Sequence, residues 1–268
     1  MPGPAPRRYR GPMHDEQEMS PDLEHELTGG NATAGVVRVG DTVRKPWIPS
    51  AAGVLDFMAH VRSQGVDLPE PRGRDAQGRM VTEFVPGPIA LDGPPLTRGE
   101  LGRVGTMIRA IHDASESFRP AAPLPVGILP VEGADLICHN DLTPWNLVVG
   151  ERWVFIDWDG AGPSTRLWDL AYSAQAFTLN DATADPTAAA ADLAALVDGY
   201  GADATLRDAL PAAMARRTRA MLDLLESSHR AGREPWGTMF LTGHGEHWRR
   251  AAEHVARHQE LWARALTP

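Results

Sequence analysis

The sequence has few or none of several features that would by themselves identify the class of protein. It has one cysteine, Cys138, and one lysine, Lys45, so arginine supplies the other 25 of its 26 basic residues. A single cysteine excludes an internal disulfide framework and fits the reducing cytoplasm, where we expect the protein to reside. No apolar run approaches the roughly 18 residues of a membrane span. The arginines of residues 1–20 have no apolar segment behind them, so we interpret this stretch as a mobile tail and not as a secretory signal.

The chain also lacks an excess of positive charge. Its formal net charge is −9, and from Pro88 onward 23 acidic residues stand against 16 basic ones. A general nucleic-acid-binding protein needs a basic face, so we expect no nucleic-acid partner. An acidic surface on the second part would attract a cationic small molecule, although ordinary solubility explains the charge equally well. The charge leaves the oligomeric state open.

The first part of the chain has the pattern of a small β-rich lobe. Short β-type runs flank the dipeptide Gly40-Asp41 and predict a hairpin over residues 36–45. Apolar residues at helical spacing predict a helix over 51–64, and residues 75–85 predict a second hairpin. The sequence Pro86-Gly87-Pro88 then interrupts any regular element. We place the lobe boundary there, which gives a first lobe of 21–87 and a second of 88–268.

The second part has the periodicity of a mainly helical lobe. A helix should end near His112, two or three short strands should lie within 136–160, and helices should span 187–200, 205–230 and 244–266. The expected fold class is therefore α+β, with a small β-rich lobe followed by a larger helical one.

The segment from Ile137 to Ala171 carries three motifs in which a polar residue ends or begins a short apolar run. In chain order they are His139-Asn-Asp141-Leu-Thr-Pro-Trp-Asn146, Ile156-Asp157-Trp158-Asp159 and Leu167-Trp168-Asp169-Leu170-Ala171. Phosphoryl transfer needs one carboxylate to orient a hydroxyl nucleophile, and an asparagine and a second carboxylate to hold Mg²⁺. The order of the motifs therefore predicts this reaction, but it does not identify the substrate.

Each motif has a simpler explanation when it is taken alone. Asp141 and Asn146 could cap turns in an exposed loop, and Asp169 could be a helix cap. Pro144 excludes an uninterrupted helix, so we expect the loop to turn and to direct Asp141 and Asn146 towards one space. Asp157 follows a buried-type strand, where a carboxylate is costly unless it is paired or bound to a cation. The three motifs in this order favour a functional site.

Together, the motifs resemble those of the aminoglycoside phosphotransferase and choline kinase family, the small-molecule branch of the protein-kinase-like fold. The resemblance implies transfer of the γ-phosphoryl group of ATP or GTP to an alcohol group. It implies that Asp141 is the catalytic aspartate and that Asn146 and Asp157 bind Mg²⁺. It further implies that Asp169 pins the catalytic loop and that His139 is structural.

The resemblance also implies a nucleotide site in the first lobe. Gly29 and Gly30 lie where the family has a loop that covers the nucleotide, although an ordinary hairpin turn explains them equally well. A basic residue on the third strand should hold the phosphates, and spacing to the following proline favours Arg44 over its neighbour Lys45. The helix over 51–64 should carry a glutamate partner for this residue, but its one acidic residue is Asp56.

Two further sets of residues are assigned by position alone. Glu83 and Val85 lie where the family has the hinge that contacts the nucleobase. The acceptor site should involve C-terminal helices, and its candidate residues are Asp159, Trp236, Glu246, His247 and Trp248. Core packing explains both tryptophans equally well.

The acceptor itself stays open. An aminoglycoside or similar amino sugar fits the acidic second lobe and would imply a role in antibiotic resistance. A metabolic hydroxyl compound (a sugar, choline or homoserine) and a nucleotide-binding relative with little activity are the alternatives. A zinc site on the last helix is a rival of another class, because His244, His247, His254 and His258 recur there at helical spacing.

Overall fold

The computed structural model describes residues 23–27 and 35–267 of the chain. Up to Glu83 the described chain forms a five-stranded antiparallel sheet and one helix, and beyond it mainly helices. The expected α+β class, with a small β-rich part before a larger helical part, is confirmed. The strands lie in the spatial order β1-β2-β3-β5-β4. Their bounds are β1 Glu24–Glu26, β2 Val37–Val39, β3 Thr42–Lys45, β4 Pro71–Arg74 and β5 Met80–Glu83.

Both predicted hairpins of the first part are present. Strands β2 and β3 pair around a turn at Gly40, whose φ of 57° suits glycine. Strand β3 also pairs with β5, which places Lys45 opposite Met80. The predicted helix over 51–64 is α1, Ala51–Ser63, and it buries the apolar stripe that predicted it: Val54, Leu55, Met58 and Val61.

The larger part contains seven α-helices within the described residues. They are α2 Arg98–Ser115, α3 Arg166–Thr178, α4 Pro186–Tyr200, α5 Ala204–Ala231, α6 Trp236–Met239, α7 Gly245–Arg257 and α8 Gln259–Leu266. Local signals set several of their ends: Asp185 caps α4 just before Pro186, and α5 runs from the cap Asp203 to Gly232. None of the described helices combines the length and the apolarity needed to span a bilayer.

Helices α2 and α4 pack with their backbones almost in contact. A Cβ atom at Gly105 would collide with the backbone of Leu196 and Tyr200, and one at Gly199 would collide with Gly102. Glycine is therefore required on both sides of this crossing.

Two small hairpins position the polar motifs of the second part. Strand β6 (Leu136–Cys138) pairs with β9 (Gly162–Ser164), and β7 (Leu147–Val149) pairs with β8 (Trp153–Phe155). The β7–β8 hairpin also meets the segment after β5, through an isolated bridge between Ile89 and Val148. The hairpin therefore holds the segment that follows the first part of the fold close to the motifs.

The prediction of one helix over 244–266 is wrong. The chain bends at His258, where φ is −106°, and two helices, α7 and α8, replace it. The bend turns Trp262 back into the core, and its Nε1 donates to the carbonyl of Val255 at 3.0 Å. Burial of a large indole with its N–H satisfied favours this bend over a continuous helix.

Candidate active site

The loop of the first motif, residues 139–146, is named the catalytic loop here for its expected role. It leaves β6 at Cys138 and enters β7 at Leu147. Its backbone turns at Asn140, with φ 67°, and closes in a short 3₁₀ turn over Pro144–Asn146. Nδ2 of Asn146 donates to Oδ2 of Asp141 at 2.7 Å and to the carbonyl of Asp141 at 3.0 Å. The structure thus brings these two predicted residues together, and the amide oxygen of Asn146 remains to coordinate a cation.

His139 supports this loop from within the core. Its side chain is fully buried, its Nε2 lies 3.1 Å from the carbonyl of Ile156, and its Nδ1 lies 3.2 Å from the amide of Asp141. Nε2 must donate and Nδ1 must accept for both bonds to form, which defines a neutral ring. Burial also lowers the pKa of His139. The ring therefore orients the backbone of Asp141 and has no nitrogen left for substrate.

Asp157 meets the first part of the fold through an ion pair. It follows β8 in the left-handed conformation, with φ 63° and ψ 61°. Nζ of Lys45 lies 2.5 Å from Oδ1 of Asp157 and 3.0 Å from Oδ2 of Asp159. Burial alone lowers the pKa of Lys45, but the two carboxylates outweigh it and raise that pKa. Lys45 is therefore a firmly charged group between two carboxylates.

Asp141 is half-buried. Burial, followed by the negative charge of Asp157, raises its pKa to about 6. The side chains of Asn146 and Trp145 act in the opposite direction. A carboxylate with a pKa near neutrality accepts a proton more readily than an ordinary aspartate.

Asp169 occupies the first turn of α3 behind the catalytic loop. Its Oδ2 lies 3.0 Å from Nε2 of His112, and Nδ1 of His112 lies 2.9 Å from the hydroxyl of Tyr200. This chain of bonds links α3, α2 and α4 in a fully buried position. Within the described part of the chain the Asp169 carboxylate is hydrogen-bonded to His112, and no hydrogen bond joins it to residues 139–146. The structure therefore shows no direct contact through which Asp169 would pin the loop.

The preference for Arg44 over Lys45 needs correction. The side chain of Arg44 points towards the turn between β4 and β5, where its Nη1 lies 3.5 Å from Oδ2 of Asp75. Adjacent strand residues face opposite sides of a sheet, so only one of the two can face Asp157. The structure gives that position to Lys45. The expected glutamate partner on α1 is replaced by Asp157 and Asp159, and Asp56 of α1 is exposed.

The remaining nucleotide-site assignments stay predictions. Gly29 and Gly30 lie outside the described residues. The side chain of Glu83 accepts from Nη1 of Arg152 at 2.5 Å, which does not affect the hinge backbone expected to contact the nucleobase. Val85 is buried against Val148 and Val154, which forms an apolar patch where the two parts of the fold join.

An aromatic cluster lies close to Asp141, which interacts with Trp145 and Tyr172. The ring centroids of Tyr172 lie 6.2 Å from Trp145 and 6.1 Å from Trp248. Trp236 is half-buried against the same apolar cluster. The structure thus brings Trp236 and Trp248 together near the catalytic loop, but with aromatic neighbours and not with acidic ones.

The two acidic acceptor candidates do not join this cluster. Glu246 is exposed and is paired at 2.8 Å with both Arg249 and Arg250 of its own helix, whereas Asp159 is paired with Lys45. His247 contacts Asn180 through a 3.0 Å hydrogen bond.

The zinc alternative on the C-terminal helix gains no support. Within the described part of the chain, the group of three residues with metal-ligand spacing is His112, Cys138 and Asp169. None of the four C-terminal histidines belongs to it.

Two site residues escaped the sequence analysis. Tyr172 directly follows the third motif, so its position was a usable signal. Arg217 of α5 is buried with its guanidinium 4.0 Å from the Tyr172 ring centroid. No local pattern distinguishes it from the other arginines of α5.

The donor atoms beside Asp157 fit a magnesium ion. Mg²⁺ prefers oxygen ligands, which the carboxylate of Asp157 and the amide oxygen of Asn146 supply. Oδ1 of Asp159 is buried with no hydrogen-bond partner among the described residues. A buried carboxylate oxygen in that situation favours a cation nearby.

Comparison with known proteins places this geometry in a family. The model of a phosphotransferase enzyme family matches residues 118–215, which include all three motifs. Over 195 residues the chain is 32% identical to the trifolitoxin immunity protein of Rhizobium leguminosarum bv. trifolii, a match that covers 65% of this chain and 73% of that protein.

Solved structures show the same fold at low identity. A microcompartment-associated aminopropanol kinase has a TM-score of 0.64 at 15% identity, covering 91% of this chain and 94% of that one. The amicoumacin kinase hAmiN in complex with AMP-PNP, Ca²⁺ and Ami has a TM-score of 0.62 at 14% identity, covering 87% and 88%. The two-lobed fold is thus that of small-molecule kinases, and the chain belongs to the phosphotransferase enzyme family.

Proposed function

We propose that the protein is a Mg²⁺-dependent kinase that transfers the γ-phosphoryl group of ATP or GTP to a hydroxyl of a small molecule. One observation carries the proposal: Lys45 of the first lobe contacts Asp157 (2.5 Å), whose charge acts on Asp141, beside Asn146. A cation for phosphate, two oxygen ligands for Mg²⁺ and a basic carboxylate therefore meet at one place.

In this proposal residues 21–87 bind the nucleotide and residues 88–268 supply the catalytic and acceptor groups. Lys45 moves from the carboxylates to the α- and β-phosphates, and the apolar patch at Val85 lies under the nucleobase. Asn146 and Asp157 hold Mg²⁺, which neutralises phosphate charge when it is bound. The amicoumacin kinase structure, with a nucleotide analogue and a divalent cation together, supports this arrangement.

The chemical step then follows from the position of Asp141. The acceptor oxygen attacks the γ-phosphorus while the bond from that phosphorus to the β–γ bridging oxygen breaks. The hydroxyl proton passes to Asp141, and the nucleoside diphosphate leaves. Asp141 contributes by orienting the hydroxyl and by taking its proton late in the transfer.

For the acceptor, we propose a hydroxyl compound that carries an amine, with aminoglycosides and other amino sugars as the first class to test. The aromatic cluster of Trp145, Tyr172, Trp236 and Trp248 supports this, because aromatic faces attract organic cations. The similarity to an aminopropanol kinase and to an immunity protein agrees with an amine-bearing or toxic acceptor, and hence with antibiotic resistance. A sugar, choline or homoserine stays within the same reaction class.

The rival candidate is a nucleotide-binding relative with little turnover. Its supporting observation is that α1 offers Lys45 no glutamate, since Asp56 is exposed. The deciding experiment is a phosphorylation screen of amino sugars, amino alcohols and metabolites with ATP and GTP in parallel. Turnover that requires Mg²⁺ and disappears in Asp141→Asn supports the kinase. Nucleotide binding without turnover of any acceptor supports the rival.

A further inference from the structure

Arg217 is a buried cation in the middle of α5. Its side chain is 4% exposed, although arginine is almost never buried unless it is paired. Within the described chain it forms no ion pair at salt-bridge distance. Its guanidinium instead stacks 4.0 Å from the centroid of Tyr172, a residue of the site.

The guanidinium borders a cavity behind the catalytic loop. The cavity is small, about 20 Å³, and is lined by residues 127–129, Asn140, Trp168, Asp169 and Arg217. Oδ1 of Asp169 and Nη1 of Arg217 are both buried and have no hydrogen-bond partner among the described residues. Opposite charges therefore face the same small space.

The groups near Arg217 determine its electrostatic environment. Burial lowers the pKa of Arg217, while Tyr172 and the carboxylates of Asp141 and Asp169 act in the opposite direction. Lys45 already compensates Asp157 and Asp159 at the front of the site. Arg217 is a buried cation that shares a cavity with Asp169 and with Asn140 of the catalytic loop, and uncompensated buried charges are strongly unfavourable.

We propose that Arg217 is a positioning residue of the reaction, which holds Asp141 and Asp169 in their working arrangement by placing a positive charge behind the catalytic loop. The inference rests on the proposed kinase function. Arg217 would act through Asp141, so loss of the Arg217 charge should slow the transfer step and leave nucleotide binding largely intact.

The test compares Arg217→Met and Arg217→Lys with Arg219→Met. Arg219 lies on the same helix, is 62% exposed and pairs only with Asp223 among the described carboxylates, so it is the matched control. With ATP and an acceptor found in the screen, Arg217→Met should lower kcat by about 10- to 100-fold with the KM for ATP within about twofold, since small misplacements of catalytic groups have effects of this size. Arg217→Lys should recover much of the loss, because it keeps the charge.

A second measurement does not depend on turnover. Thermal unfolding of the metal-free protein should show that Arg217→Met lowers the midpoint, and that the loss is at most half as large in an Asp141→Asn background. Equal losses in both backgrounds, or a kcat equal to that of Arg219→Met, would overturn the role of Arg217. If the wild-type protein phosphorylates no acceptor, the proposed function fails, while the unfolding comparison still decides whether Arg217 and Asp141 are coupled.

Discussion

The two sides of Asp141 are built in different ways. On the side proposed for the nucleotide, charged groups are paired across the junction of the lobes, with Lys45 held between Asp157 and Asp159. The side proposed for the acceptor consists of aromatic rings from Trp145, Tyr172 and Trp248 at centroid separations near 6 Å. In the proposed reaction the charged side would bind phosphate, as every enzyme of that reaction class must. The aromatic side is free to differ, and this is where acceptor preference should reside.

The sharpest test of this contrast removes the group that lies between the two sides. Asp141→Asn keeps the shape of the side chain but cannot take a proton. We expect kcat to fall by about 10³-fold or more, within the range of general-base effects, while nucleotide affinity measured by calorimetry stays within a few-fold. Turnover close to wild type would contradict the assignment of Asp141.

The next largest effect should come from Lys45 on the charged side. Lys45→Met leaves Asp157 and Asp159 without their cation and removes a phosphate ligand, so kcat/KM for ATP should fall by about 100-fold. Arg44→Met is the matched control, because Arg44 contacts Asp75 and not the site. If Arg44→Met lowered kcat/KM more than Lys45→Met, the assignment of Lys45 and not Arg44 to the active-site face of β3 would be wrong.

A smaller and different effect is expected on the aromatic side. Trp236→Leu should raise the KM for the acceptor by about tenfold, which is the effect of losing one aromatic contact, and should leave the KM for ATP unchanged. Glu246→Gln should change neither constant, because Glu246 pairs with arginines of its own helix. Initial-rate kinetics with each substrate varied in turn separates the two constants. A raised KM for ATP in Trp236→Leu would show that the two sides are not independent.

The last prediction concerns stability and pH, and no effect on turnover. The pKa of Asp141 is about 6 in the folded protein, above its ordinary value of 3.8. A carboxyl that binds its proton more tightly when folded stabilises the protein below about pH 4, and this contribution is lost as the pH rises through 6. Relative to wild type, the free energy of unfolding of metal-free Asp141→Asn should therefore rise by up to about 3 kcal/mol between pH 4 and pH 8.

Denaturant unfolding across this pH range measures that difference. Asp208→Asn, at an exposed position of α5, provides the control and should run parallel to wild type. Parallel curves for Asp141→Asn as well would show that Asp141 is not desolvated.

The sequence predicted best what lies close together along the chain. Asp141 and Asn146 are five residues apart, and a loop interrupted by Pro144 leaves few ways to arrange them. Lys45 and Asp157 are 112 residues apart, so their contact depends on how the lobes dock. Periodicity placed Arg44 and Lys45 on opposite faces of β3, but it could not say which face would cover Asp157.

In the helical part, too, contacts between residues on different elements were not predicted from local patterns. The stripe from Trp248 to Trp262 fitted a single helix, yet the bend at His258 is stabilised by burial of Trp262 against Val255. Arg217 has no local signal at all, because its role depends on Tyr172 and Asp169, which lie on another helix. Side chains that act through tertiary neighbours are the ones that sequence patterns miss.

The tight crossing of α2 and α4 makes the active site sensitive to residues far from the chemistry. Gly105 lies two turns before His112 on the same helix, and it touches the backbone of Tyr200, whose hydroxyl binds His112. A methyl group at Gly105 would wedge the helices apart and separate those two side chains, so that His112 would lose the hydrogen bond that orients its ring towards Asp169. Enzyme activity would then respond to a substitution that touches neither substrate nor metal, because the packing of α2 on α4 determines how His112 meets the buried Asp169.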